Sequence, residues 1–357
     1  MKVIVYAISK NEEKFVDRWY ESMKEADEIY VLDTGSSDDT VKLLKERNVN
    51  VFVEEINPWR FDEARNRSLS MVPDDATICV CTDLDEVFNP GWRMELEKIW
   101  ADNTNRVRYI YNWSFDKGKP VITFYGEKIH SRNNFKWVNP VHEVLSYDGK
   151  EKIVTTDNIV LNHYPDISKS RSSYLPLLEL SIKEDPLNDR NMHYLGREYM
   201  YYSRWNDCID TLIRHLNLPN ARWKDERCAS MRFIGRSYIK LKRYDEARLW
   251  LNKAMIEAPY LRESYMEMAF LEYELNNYED VIINCIKALM IKEKNRSYIS
   301  EWFCLDNVIY DLLSIAYYNL KMYDISLLYI DKALKYNIND SRLIKNRELI
   351  VSKNNKE

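Results

Sequence analysis

One set of spacings recurs four times in the second half of the chain, and it restricts that half to stacked helical hairpins. Gly235, Tyr238, Tyr244, Ala247, Leu251, Ala254 and Pro259 make one copy, and a shift of 34 residues lands on Ala269, Tyr278, Val281, Cys285 and Ala288. A later copy, after an insertion following Ala288, supplies Ser314, Tyr317, Tyr323, Ser326, Ile330 and Ala333. A degenerate earlier copy supplies Gly196, Tyr199, Trp205, Cys208 and Leu212. Small residues recur where two helices approach closely, and an aromatic recurs at the turn between them. A single hairpin cannot bury its own apolar face, whereas neighbours stacked in register bury a continuous core. These positions are therefore read as packing residues, and so are most of the 26 tyrosines.

The first half follows a different rule. Val3 to Ile8, Ile29 to Leu32, Val51 to Val53 and Thr77 to Thr82 are short apolar runs rich in β-branched residues. Amphipathic stretches separate them, including a helix expected over Phe61 to Met71 and another entered through Asp33-Thr34-Gly35-Ser36-Ser37-Asp38-Asp39 with Ser37 or Asp38 as N-cap. Strands alternating with helices imply parallel βαβ units in a doubly wound sheet. In such sheets ligands bind beyond the carboxyl ends of the strands, where both Asp33 and Asp83-Leu84-Asp85 fall. From Arg106 to His163 the segments Val107 to Trp113, Val121 to Tyr125, Lys128 to Arg132 and Ile159 to His163 suit a mixed or antiparallel extension. Pro165, Asp166 and Ser168 mark a boundary, giving an α/β domain over 1–168 and an all-α repeat domain over 169–350.

Composition excludes several classes. With 45% apolar and 31% charged residues the chain is globular, and only seven glycines in 357 residues disfavour a loop-rich all-β fold. Six cysteines without a CxxC pair read as buried thiols of a reducing compartment. The N-terminus runs straight into a strand, and no apolar run is long enough to span a bilayer. A cytoplasmic location is expected.

Asp83, Asp85 and Glu86 place three carboxylates in four positions at a strand end. In an extended chain Asp83 and Asp85 point to the same side and reach one site. Oxygen ligands suit a hard divalent cation, magnesium or manganese; a solvated turn or a helix cap before Pro90-Gly91 is the alternative.

At this point the motifs resemble a known family. Ile8-Ser9-Lys10-Asn11-Glu12-Glu13, Val31 to Thr40, Phe61-Asp62-Glu63-Ala64-Arg65-Asn66 and Asp83-Leu84-Asp85 come in the order seen in family 2 glycosyltransferases of GT-A fold. The match covers about the first 165 residues; the repeats beyond it are similar to tetratricopeptide repeats. The resemblance implies a Rossmann-like domain for a nucleotide-sugar donor, a UDP-sugar favoured, and inverting transfer aided by manganese or magnesium. It implies that Asp33 accepts hydrogen bonds from the base and that Glu12 lies near the nucleoside. Asp85 with Asp83 would hold the metal or bind the donor ribose and sugar, and His163 would complete the metal shell. Arg65 would place a cation near the phosphates or organise the carboxylates, with a core salt bridge as the alternative, and Asn66 would brace the donor loop. The base is expected in Trp137-Val138-Asn139-Pro140-Val141-His142-Glu143, with the choice between His142 and Glu143 open. Trp113, Trp137 and Tyr125 are either sugar platforms or core.

The acceptor is left open between protein or peptide, DNA carrying a modified base, and lipopolysaccharide. So is a homo-oligomeric state, and so is a repeat-based binding protein whose sugar-nucleotide domain is inactive. Between Arg214 and Arg248 ten lysines and arginines face four acids, an excess of +6 in a chain of net charge −5. That window reads either as an anion-binding face or as a solvated helix face.

Overall fold

The computed structural model describes residues 1–116, 118–166, 172–292 and 297–354. It divides into two compact units, Met1–Asp185 and Pro186 onward, with 296–298 counted with the first. The domain boundary expected at 168/169 lies outside the described residues.

The first unit is built on an eight-stranded mixed sheet. Strands β1 (Val3–Ser9), β2 (Glu28–Asp33), β3 (Asn50–Val53) and β4 (Ile78–Thr82) are parallel, in the order β3-β2-β1-β4. Helices α1 (Glu13–Met23), α2 (Thr40–Glu46) and α3 (Phe61–Ser70) connect them. Side chains alternate across β1, so Val3, Val5 and Ala7 pack with Phe15, Val16, Trp19 and Met23 of α1. Ile4 and Tyr6 pack on the other face with Leu69 of α3 and with Trp137. Both faces of the central strands β1 and β4 are covered, which is why they read as near-continuous apolar runs, while the edge strand β3 is largely exposed.

Beyond β4 the sheet continues through β7 (Lys119–Ser131), β6 (Arg106–Asp116), β10 (Ile153–His163) and the short β5 (Glu86–Phe88). Sequence pattern splits Val121–Tyr125 from Lys128–Arg132, but the structure joins them in one strand. Gly126 permits this: it lies beside Tyr109 on β6, and a Cβ there would come within 2.7 Å of the ring. Strands β8 (Phe135–Val138) and β9 (Val144–Tyr147) form a separate hairpin. Helices α4 (Trp92–Ile99) and α5 (Tyr174–Glu184) complete the unit.

In the second unit the repeat copies are helical hairpins: α6 (Asp189–Tyr201) with α7 (Trp205–Leu216), α8 (Lys224–Lys240) with α9 (Tyr244–Glu257), α10 (Arg262–Glu274) with α11 (Tyr278–Met290), and α12 (Asp306–Asn319) with α13 (Tyr323–Leu334). Helix α14 (Ser341–Asn354) follows. Each hairpin turns the same way. Ser203, Lys242, Asn276 and Lys321 all take positive φ. One residue later the amides of Arg204, Arg243, Asn277 and Met322 each donate to the carbonyl five residues back at 2.9 Å. This is the helix-ending motif with a left-handed residue. The repeated aromatic, at Trp205, Tyr244, Tyr278 and Tyr323, follows two residues after the left-handed one.

The small residues also have a measurable role. A Cβ on Gly196 would lie 2.3 Å from Cδ2 and 2.4 Å from Cγ of the fully buried Leu212, while one on Gly235 would lie 3.0 Å from Leu251. Gly196→Ala is therefore expected to cost about 1–3 kcal/mol by overpacking. Gly235→Ala should be near neutral, because the gain in helix propensity of about 1 kcal/mol offsets a mild clash. Urea unfolding of the two variants side by side checks the difference.

Candidate active site

The carboxyl ends of β1, β2 and β4 lie on one edge of the sheet, with Ser9 paired to Asp33 and Ala7 to Thr82. Two motif-bearing loops are laced together there. Asn11 N donates to Ser36 Oγ at 2.8 Å, Ser37 N to Asn11 Oδ1 at 2.8 Å, and Glu12 N to Thr40 Oγ1 at 2.8 Å. Asp38 accepts from Thr40 N at 3.0 Å and Glu13 N at 3.1 Å, serving the first turns of both α1 and α2. The residue at the α2 N-cap is Asp39, one beyond the expected pair, and its side chain makes no capping bond. Burial pushes the Asp38 carboxyl up, but the Thr40 hydroxyl and the backbone donors hold it below its ordinary value.

Asp33 is fully buried. Its carboxylate accepts from Ser9 Oγ at 2.8 Å, Gly35 N at 3.1 Å, Ser36 N at 2.8 Å and Ser36 Oγ at 2.5 Å. A carboxylate offers about four lone-pair positions, so in this structure Asp33 shapes the loop instead of presenting open acceptors.

Asp83 and Asp85 are not in an extended chain. Glu86 N donates to Asp83 O at 3.0 Å, closing a turn with Leu84 buried inside it. The turn separates the two side chains, correcting the expectation that both point one way. Asp83 continues the parity of Cys79 and Cys81 toward the α3 face. There Arg65 Nη2 donates to Oδ1 at 2.7 Å, and Lys128 Nζ donates to Oδ2 at 2.9 Å. Arg65 also donates through Nε to Glu143 Oε1, and through Nη1 to Cys81 Sγ at 3.3 Å. Lys128 Nζ reaches Glu86 Oε1 at 3.0 Å, and that oxygen also accepts from Tyr111 Oη at 2.7 Å. Glu143, Arg65, Asp83, Lys128 and Glu86 thus form a ladder of alternating charge. Burial opposes charge on Asp83, but Arg65 and Lys128 outweigh it and hold its carboxyl far below the usual range. Burial, Asp83 and Asp85 push the Glu86 carboxyl up against Lys128.

Asp85 turns to His163, with Oδ2 3.4 Å from Nε2. His163 ends β10, whose Ile159 and Leu161 pack on the α1 face, the same face to which β2 alternation carries Asp33. The pairing of β5 with β10 sets His163 opposite Glu86 and brings the turn within reach. His163 Nδ1 donates to Trp113 O at 3.1 Å, which directs Nε2 at Asp85. Burial lowers the imidazole pKa, and Asp85 more than offsets this, so it lies above the ordinary value. Trp113 stacks on His163 at 4.4 Å and keeps much of its other face in solvent.

Asn66 holds strand β8, donating to Trp137 O and accepting from Trp137 N, both at 2.8 Å. Trp137 is core: it is buried and donates to Tyr6 Oη at 2.9 Å. Tyr125 donates to Asp157 at 2.8 Å. His142 takes positive φ and meets Tyr174 edge-on. Among the described residues, no three histidine, cysteine or acidic side chains are grouped as a metal would need. Lys128 was not anticipated, because its role appears only when β7 pairs with β4.

Residues 4–147 match the family described as Glycosyl transferase family 2, so the N-terminal unit carries a family 2 glycosyltransferase domain. An uncharacterized glycosyltransferase of Rickettsia typhi is 32% identical over 111 residues, which are 30% of this chain and 36% of that protein. The chain thus matches about a third of that relative's length. Solved structures with helical repeats are also similar. A tetratricopeptide repeat protein of Cytophaga hutchinsonii is 13% identical, covering 52% of this chain and 67% of its own, at a TM-score of 0.43. The MamA protein is 18% identical, covering 48% and 85%, at 0.37.

Half of the basic window is drawn into ion pairs. Arg227 pairs with Glu257, Arg232 and Arg236 with Glu267 and Glu301, Arg243 with Glu246, and Arg248 with Glu272. Four of those acids lie outside the 214–248 stretch, while Arg214, Arg222, Lys224, Lys240 and Lys242 are exposed, as a solvated helix face requires.

Proposed function

We propose that the first unit transfers a sugar from a nucleotide-sugar donor, a UDP-sugar favoured, to a macromolecular acceptor with inversion at the anomeric carbon. The observation that supports this most is the charge ladder beside the Asp85–His163 pair at the strand ends, where a doubly wound sheet binds its ligand. Glu143 is the proposed base: it belongs to the ladder, while His142 packs against Tyr174. As the acceptor hydroxyl or thiol attacks C1, Glu143 takes its proton and the bond to the leaving diphosphate breaks. Arg65 orients Glu143 through its Nε–H donated to Oε1.

Asp85 and His163 would supply two ligands to a divalent cation, manganese or magnesium, whose other positions the donor diphosphate and water would fill. The Trp113 carbonyl fixes the imidazole so that Nε2 faces the carboxylate, the outer-shell arrangement usual for a histidine ligand. Such a cation would offset charge developing on the leaving diphosphate. Asp83 fits poorly as a ligand, because both its oxygens are held by Arg65 and Lys128; its proposed part is to position those cations. Trp113 is the proposed sugar platform.

Ion pairing of five of the ten cations weakens the support for DNA or lipopolysaccharide, so a protein or peptide acceptor is favoured. No helix among the described residues is long and apolar enough to cross a membrane. The six buried free thiols suit the cytoplasm.

Incubation with a panel of nucleotide sugars, with and without EDTA, followed by mass spectrometry of candidate acceptors tests the proposal. EDTA-sensitive donor turnover is expected. Asp85→Asn should lower kcat/KM at least about 100-fold, or about 2.7 kcal/mol, with the melting temperature little changed. The engaged carboxylates of Asp33 and Asp83 favour a second reading, a domain that binds nucleotide sugar without turning it over. Calorimetric donor binding with no hydrolysis would select that one.

A further inference from the structure

The second helices of the last three hairpins expose apolar residues at matching repeat positions. The first helices α6, α8 and α10 touch in sequence, which leaves the second helices on the opposite side of the stack. Leu249 on α9 is 53% exposed, Ile283 on α11 48% and Leu328 on α13 53%. Further along the first two helices, Ile256 and Met290 are more exposed still. The equivalent residue on α7 is Asp210, so the row ends there.

The charges around this row are ordered too. Four residues before each exposed apolar residue stands an acid: Asp245, Glu279 or Asp324. Four residues after it stands a lysine: Lys253, Lys287 or Lys332. Residues four apart lie on one helix face, and four residues advance about 6 Å. Each helix therefore carries acid, apolar and lysine side chains symmetrically spaced about the apolar one. Lys253 sits over Trp250 at 4.1 Å, and Lys332 lies over Tyr329 at 4.7 Å and Tyr310 at 5.6 Å. Asp324 accepts from Asn354 at 2.7 Å and Asp245 lies 3.5 Å from Arg248, whereas Glu279 and Lys287 on α11 are both exposed.

A two-fold axis through Ile283 maps this face onto its own complement. Helix α11 would meet its counterpart antiparallel, with Glu279 of one copy opposite Lys287 of the other, twice. The same rotation would exchange α9 with α13, setting Asp245 opposite Lys332 and Asp324 opposite Lys253, with the apolar residues facing one another. Self-complementarity under rotation is what an isologous interface requires. We propose that this face binds a second copy of the chain, forming a two-fold dimer through α9, α11 and α13. Three helices about 20 Å long and 10 Å wide offer roughly 600 Å² per copy, below the standard of about 800 Å².

Sedimentation velocity and light scattering on the full chain, across micromolar concentrations, test this. The wild type should be a dimer at the upper end. Ile283→Glu should be monomeric throughout, with an unchanged melting temperature because the side chain faces solvent. Glu279→Lys or Lys287→Glu alone should each weaken dimerisation at least about tenfold, since each places like charges opposite one another twice. The two together should restore it. A wild type that stays monomeric, an Ile283→Glu variant that still dimerises, or a double swap no tighter than the single changes would each overturn the proposal.

Discussion

Arg65→Met is expected to lower the stability of the first unit by about 3–5 kcal/mol, the range for removing one member of a buried ion pair, and to abolish transfer. Arg65 is buried, and its guanidinium spans two carboxylates from different parts of the chain, Asp83 and Glu143. Methionine fills much of the volume but leaves both acids in a low-dielectric setting, with only Lys128 near Asp83. Arg65→Lys should recover only part of the loss, because a compact ammonium cannot present a fork to both acids. The pH dependence separates this account from a packing defect. Asp83 has a folded-state pKa well below its unfolded value. Its contribution is therefore fully present above about pH 4, the ordinary aspartate value, and is lost as pH falls toward the folded pKa. The gap between wild type and Arg65→Met should be largest at neutrality and shrink as pH falls, first because acids stranded without the guanidinium protonate more readily, then below about pH 4 because the wild type loses its own Asp83 contribution. Urea unfolding at stepped pH measures the gap, and a gap that does not change in acid would refute the electrostatic account. Glu143→Gln in the Arg65→Met background should regain stability without regaining activity.

Elements came through in the sequence wherever one local rule governed them. The strands Val3–Ser9 and Ile78–Thr82 are buried on both faces, so β-branched composition sufficed. The hairpins were legible because small residues such as Ala247, Cys285 and Ala333 are fully buried at each helix crossing. What depended on partners distant in sequence did not come through. Lys128 looks like one polar residue in a strand until β7 lies beside β4. The Asp83–Glu86 turn needs Glu86 drawn back, its Oε2 accepting from Asp83 N at 2.9 Å. Alternation then puts Asp33 and Asp83 at the same edge of the sheet but toward different faces, and Asp85 rejoins Asp33's side only through His163. Spacing alone held the roster of acids but not which of them would be neutralised by a cation. The basic window was only half legible for the same reason: charge summed along a helix omits the acids that other segments supply to Arg227, Arg232, Arg236 and Arg248.

Those acids set the largest expected effect in the repeats. Glu267→Leu should cost about 3–5 kcal/mol, more than the loss of either arginine it holds. Glu267 on α10 accepts from Arg232 Nη1 at 2.8 Å and from Arg236 through Nε at 2.9 Å and Nη2 at 2.7 Å. Burial pushes its carboxyl up, and the two arginines pull it below the ordinary value. Arg232 is fully buried, and its other contacts are the Ile299 carbonyl at 3.2 Å and Glu301 at 3.6 Å. Removing Glu267 leaves that guanidinium charged in the core with only Glu301 at 3.6 Å and Glu263 to offset it. Arg232→Met alone is milder, because Glu267 keeps its bidentate bond to Arg236, whose side chain is partly exposed. Adding Arg232→Met to Glu267→Leu removes the stranded charge and supplies apolar volume, so the double variant should be more stable than Glu267→Leu by about 2 kcal/mol or more. At roughly 2–4 °C per kcal/mol for a unit of this size, the single change should lower the melting of the repeats by about 10 °C. A double variant as unstable as Glu267→Leu would mean that shape, and not the unpaired charge, sets the cost. Calorimetry of the four proteins in that cycle decides the matter, because only an electrostatic coupling gives a large non-additive term of that sign.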